Sequence, residues 1–122
     1  MSFRRILLQP VIRISAPTTQ EVRYAAPTSG WMTALVWANV FENATAVKAT
    51  VDLRGGSNTS MSDDTSGTPS FWPSLGTFQI DVGVTGAFKS SAIQGLPAWL
   101  RWQIPSLAAP LTLELVLELW DE

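Results

Sequence analysis

Apolar and polar residues alternate with a period of two along most of this chain. From Leu111 to Leu119 every odd position is leucine, while Thr112, Glu114 and Glu118 share the other side. Successive side chains of a β-strand point to opposite faces of a sheet, so this run predicts a half-buried strand. Thr77–Thr85 repeats the pattern, with Phe78, Ile80, Val82 and Val84 on one face and Thr77, Gln79, Asp81 and Thr85 on the other. In Val47–Leu53 the outward positions are Lys48, Thr50 and Asp52. Trp31–Phe41 is apolar on both faces: Trp31, Leu35, Trp37 and Phe41 occupy one, Met32, Val36 and Val40 the other. Such a strand is central in its sheet or covered by a partner. Shorter runs predict further strands at Ile6–Leu8, Val11–Ser15, Glu21–Ala26, Phe88–Ile93 and Trp99–Ile104.

Glycine and proline fall between these runs, at Gly30, Gly55-Gly56, Gly67, Gly76, Gly86 and Gly95 and at Pro17, Pro27, Pro69, Pro97, Pro105 and Pro110, as expected of strands joined by tight turns. Helical heptads are absent. Short, half-buried strands in this number pack as two antiparallel sheets, so the expected fold is all-β: an antiparallel β-sandwich of jelly-roll type in a single domain. Residues 17–122 form that domain, and residues 1–16 precede it as an N-terminal extended arm or edge strand. Residues 55–70 are small, polar and too long for an ordinary hairpin, which marks them as the main exposed excursion of the chain. The aromatic pair Phe71-Trp72 before Pro73 is expected to pin the end of that loop back onto the sandwich.

Composition removes several chemistries. The 122 residues include eight Lys/Arg and ten Asp/Glu but neither cysteine nor histidine. Disulfides, thiolate metal sites, His-based triads and His-liganded metals are therefore excluded. A net charge of −2 argues against nucleic-acid binding, which rests on a basic surface that neutralises phosphates. The opening stretch Met1–Ile14 has the basic start and apolar middle of a secretory leader, but Pro10 and Arg13 interrupt it, so it reads as part of the mature chain. No window approaches the roughly 20 uninterrupted apolar residues of a spanning helix, so no membrane partner is expected.

The remaining routes to catalysis are thin. Asp63-Asp64 offers carboxylates to a cation, yet an oxygen cage needs several ligands at defined spacing, and the plainer reading is a solvated loop. Asp52 and Asp81 resemble a carboxylate pair, but each occupies the polar face of an alternating strand, the ordinary place for a solvated aspartate. Lys48 and Lys89 are the only lysines, and neither lies in a Ser-x-x-Lys motif. No enzyme activity, cofactor or metal is expected.

Six tryptophans raise the possibility of a carbohydrate-binding module. Sugars stack on exposed aromatic rings, and Trp72 with Trp99 would form the platform, accompanied by Arg101 and Gln103. The structural reading of the same residues puts Trp31, Trp37 and Trp102 in the core and leaves Trp72 and Trp99 to cover a sheet edge or a subunit contact. A third reading is assembly. Mean hydropathy is +0.15 and only 15% of residues are charged, more apolar surface than a monomer of this length readily buries. Val116 and Trp120 interrupt the polar face of the last strand, and Arg4, Arg5 and Arg13 equip the N-terminal arm to reach an acidic neighbour. An interface through Arg4, Arg5, Arg13, Trp72, Trp99, Val116 and Trp120 is therefore expected, with Trp120→Ala weakening assembly and sparing the fold.

The stretch Gly95-Leu-Pro-Ala-Trp-Leu-Arg-Trp-Gln-Ile104, followed after a short linker by Leu111–Leu119, resembles the closing two strands of small β-sandwich proteins among the virion components of tailed bacteriophages. There a Leu/Val-Arg-Trp strand precedes a final alternating strand; here Arg101-Trp102 is the matching element. The resemblance implies a structural accessory protein of a virion, a capsid decoration or cement protein or a head or tail fibre component, without catalytic residues. It implies a homo-oligomer or a larger viral protein shell as partner, and a location in the virion, with the host cytoplasm during assembly.

Overall fold

A computed structural model of the protein describes residues 2–56 and 72–122. Asp63-Asp64, Phe71 and most of the predicted polar loop lie outside the described residues. The elements are β1 (Phe3–Ile14), β2 (Thr18–Thr19), a 3₁₀ turn (Val22–Tyr24), β3 (Ala26–Pro27), β4 (Thr33–Asn43), β5 (Ala49–Gly56), β6 (Ser74–Ile80), β7 (Gly86–Lys89), β8 (Ile93–Gln94), β9 (Trp99–Ile104) and β10 (Leu111–Trp120). They form two antiparallel sheets. Sheet A runs β1-β10-β4-β7, with β8 also on β4; sheet B runs β2-β9-β5-β6, with β3 also on β9. Because β2 and β3 share one partner strand, as do β7 and β8, each pair is a single interrupted strand. The resulting eight strands, numbered in chain order, read 1-8-3-6 and 2-7-4-5. That is the jelly-roll order, and the fold is an all-β antiparallel sandwich.

The leucines of β10 show why the sequence closes this way. Leu111, Leu113, Leu115, Leu117 and Leu119 are all fully buried, and the strand lies between β1 and β4. Beside them on β4 are smaller residues: Val40 pairs with Leu113, Ala38 with Leu115, Val36 with Leu117 and Ala34 with Leu119. Alternating large and small side chains lets the facing sheet interdigitate. Sheet B supplies Val51, Leu53, Ile80, Leu100, Trp102 and Ile104, each at most 1% exposed. β4, apolar on both faces in the sequence, is an interior strand of sheet A.

Several strand expectations need correction, each for a local reason. The predicted Thr77–Thr85 strand stops at Ile80, because Gly83 takes φ +67° and Val84 N–H donates to Asp81 O at 3.3 Å, closing a turn. Asn43 locks that turn through its amide, donating to Asp81 O at 2.7 Å and to Val84 O at 2.9 Å. Val82 and Val84 consequently point outward. Glu21–Ala26 is interrupted by the 3₁₀ turn, with Tyr24 N–H donating to Glu21 O and Ala25 N–H to Val22 O, both at 3.0 Å. Phe88–Ile93 is split at Ser90, whose Oγ accepts from Val36 N–H at 3.0 Å in place of a ladder carbonyl. The two predicted N-terminal strands are one. β1 pairs with β10 along its length as an edge strand, with register shifts on either side of Gln9 around Pro10, which lacks a backbone donor.

Candidate functional site

Strand pairing fixes which side chains share the outer face of sheet A. Phe3 lies beside Trp120 and Trp120 beside Thr33; Arg5 beside Glu118 and Glu118 beside Leu35. In the next row Leu7, Val116, Trp37 and Lys89 succeed one another across β1, β10, β4 and β7. Two apolar rows thus flank a charged one. Phe3 and Leu7 are 51% and 53% exposed, and Leu35, Trp37, Val116 and Trp120 are half-buried among them. The Phe3 and Trp120 rings meet at 5.4 Å between centroids, a tilted aromatic contact.

The charged row is internally closed. Arg5 Nη2 donates to Glu118 Oε2 at 2.7 Å, and Trp37 Nε1 donates to Glu118 Oε1, also at 2.7 Å. Glu118 is buried while Arg5 stays largely in solvent. The Arg5 hydrogen bond first, with help from Trp37, outweighs desolvation and holds the Glu118 carboxyl below the usual glutamate value. One carboxylate thereby orients both the arginine and the indole. Lys89 Nζ lies 5.6 Å from the Trp37 ring centroid, and Asn39 Nδ2 donates to Glu114 at 2.9 Å. Farther along the same face, Arg13 Nε and Thr112 Oγ1 donate to Glu42 Oε1 at 2.9 and 2.7 Å. Thr112 chiefly, and Arg13 next, lower the Glu42 pKa.

Of the residues proposed from sequence, Arg5, Val116 and Trp120 are brought together on this face, and Arg13 lies at its far end. Arg4 is exposed but falls opposite Leu119, on the core-facing parity of β1 at the end of the sandwich. Phe3, Leu7, Leu35 and Trp37 complete the face and were not singled out. The two-sided apolarity of Trp31–Phe41 was the available signal for Trp37, which is not a core residue as expected; Trp102 is, and Trp31 packs partly against the core.

The other four candidates lie on the outer side of sheet B, and most of them are not accessible. Trp72 and Arg101 are each 1% exposed and Gln103 is 5% exposed. Trp72 joins Val22 and Ala25 in a small second core, with the half-buried Trp99 packed against it. The Trp72 ring lies over Gly56, where a Cβ would come within 2.9 Å of the indole, so only glycine leaves room for it. Arg101 Cζ sits 4.6 Å from the Trp72 ring centroid, and its Nη1 donates to Gln20 O at 2.9 Å. Beside them Arg54 Nη2 pairs with Asp52 at 2.8 Å, and Ser74 Oγ donates to Asp52 Oδ1 at 2.6 Å. The open platform that the carbohydrate alternative needs is not present: Trp72, Arg101 and Gln103 are buried and Trp99 is half-buried. Trp72 is therefore not part of an exposed surface, and Arg101 keeps its outward position on β9 but is buried.

A cleft of about 620 Å³ opens where the edges of the two sheets diverge, with Leu7, Pro10, Ile12, Thr19, Tyr24 and Trp102 in its walls. Gln20 Nε2 donates to Leu8 O at 2.7 Å and Trp102 Nε1 to Gln9 Oε1 at 3.3 Å, so its polar groups brace one sheet against the other. Phe41, Val47, Val82 and Val84 are exposed, the valines on loops that join the sheets at one end of the sandwich. Among the described residues no group of three Asp or Glu is placed to hold a metal ion. No protein-family model matches the chain, and no curated protein matches it in sequence.

Proposed function

We propose that the protein is a non-enzymatic structural subunit that binds other protein copies or a larger shell through the outer face of sheet A. The observation that carries this reading is that face itself: exposed and half-exposed Phe3, Leu7, Leu35, Trp37, Val116 and Trp120 form two apolar rows on either side of the Arg5–Glu118 pair, bridged at Leu35. Contiguous apolar surface of this kind on a small domain marks a protein contact. Glu118 and Arg5 hold the surface in shape rather than advertising charge. A jelly roll serves capsid proteins and lectins alike, so the fold does not choose between assembly and glycan binding. Burial of Trp72, Arg101 and Gln103 favours assembly. The likeness of Gly95–Ile104 and Leu111–Leu119 to phage virion strands supports the setting we propose: an accessory component of a virion, decorating or cementing a capsid or contributing to a head or tail fibre.

The test is molar mass by light scattering over a concentration series, for the wild type and for Trp120→Ala. A defined multimer is expected, shifted toward smaller species by Trp120→Ala with little change in the urea unfolding midpoint. A monomer at every concentration, or a multimer indifferent to the substitution, overturns the reading.

A further inference from the structure

We infer that the occupant of the outer face of sheet A is a second copy of this chain, stacked sheet on sheet about a two-fold axis that runs along the strands between β10 and β4. The inference rests on the assembly reading and names its partner. Area is the first support. Strands about 4.8 Å apart and rising about 3.3 Å per residue give a four-stranded face as long as the ten-residue β10 a projected area on the order of 600 Å². An area of that order meets the roughly 600 Å² per partner at the lower end of specific protein interfaces.

Charge is the second support, and it also places the axis. Inside the apolar rows the ion pair is closed between Arg5 and Glu118, so the surface calls for a neutral, apolar counterpart, which its own copy provides. Homodimer contacts are the more apolar kind. An axis directly along β10 would stack Glu118 on Glu118 and Glu114 on Glu114 of the second copy. One crossing the strands at the Arg5–Glu118 row would again oppose Glu118 to itself. An axis along the strands between β10 and β4 opposes no like charges in these rows: Val116 meets Trp37, Glu114 meets Asn39, and Glu118 meets Leu35. It also keeps all four strands in overlap. Aligned packing of this type is the common way for sheets to stack.

The geometry gives a direct test, because the chain contains no cysteine. Facing sheets lie about 10 Å apart, too far for a disulfide but within reach of a short bismaleimide. Val116→Cys and Leu35→Cys each lie one strand spacing from their own copies across the proposed axis. Val47→Cys, 71% exposed on a loop away from the face, serves as the control. We expect dilute Val116→Cys and Leu35→Cys to give covalent dimer in at least tenfold excess over Val47→Cys, with unfolding midpoints near the wild type. Either position suffices if the other variant fails to fold. A multimer by light scattering whose face positions do not cross-link, or cross-link no better than Val47→Cys, overturns the two-fold stack and leaves the assembly reading standing. A wild-type monomer at every concentration overturns both.

Discussion

Replacing Glu118 with glutamine separates the carboxylate's charge from its shape. Glu118 is buried and accepts two hydrogen bonds of 2.7 Å, from Arg5 and from Trp37. A hydrogen bond to a charged group contributes about 1.5–3 kcal/mol when sheltered. The Arg5 side chain is 65% exposed, so solvent screening brings its share below about 1 kcal/mol. Glutamine keeps a neutral acceptor for one donor, and the expected loss for Glu118→Gln is about 1.5 kcal/mol. Arg5→Ala should cost about 0.5 kcal/mol, since most of that side chain never left water. The assay is urea unfolding at neutral pH, at concentrations dilute enough that assembly does not contribute, with the double variant closing the cycle.

Acid provides an independent check on the same carboxyl. Its folded pKa lies below the ordinary 4.5, so the unfolded chain takes up a proton first as the pH drops. Stability from Glu118 is therefore complete above the unfolded value and is lost as pH falls through the folded one. The wild-type advantage over Glu118→Gln should hold at neutral pH and shrink below pH 4.5. An advantage that is absent at neutral pH, that survives full protonation, or that Arg5→Ala abolishes just as well would refute the account.

Two further substitutions probe regions away from the proposed interface. Trp72→Ala should destabilise the fold by about 3–5 kcal/mol in urea unfolding, as expected of a large side chain in a packed core; a small change would mean that the indole is a surface group. Asn43→Ala removes the bonds to Asp81 O and Val84 O, and should cost about 1–2 kcal/mol and accelerate amide exchange at Val84. Unchanged exchange would show that Gly83 sets the turn unaided.

The strands were legible because their pattern is local. The leucines of β10 state both the strand and its buried side, and the turns at Gly30, Gly86 and Gly95 use positive φ at glycine, as the punctuation suggested. What alternation cannot express is whether the polar side of a strand is wet. Arg101 and Gln103 do lie opposite Leu100, Trp102 and Ile104, as the period requires, yet both are buried, Arg101 against the Trp72 ring. The outer face of sheet A was hidden for the complementary reason. Phe3, Leu7, Leu35 and Trp37 come from strands distant in sequence, and pairing register alone makes them neighbours.

Among the described residues β1 ends sheet A, which bears on any crowded assembly site. A long free strand edge invites another chain to continue the ladder, and repetition of that event builds a fibre. Here Pro10 withholds a donor and register shifts on either side of Gln9 interrupt the ladder. Copies that approach edge to edge find no regular ladder to extend. Growth by strand addition is discouraged, and a contact made through the face alone ends with the subunits that share it. Under the proposed assembly, a high local concentration would fill faces without lengthening a fibre.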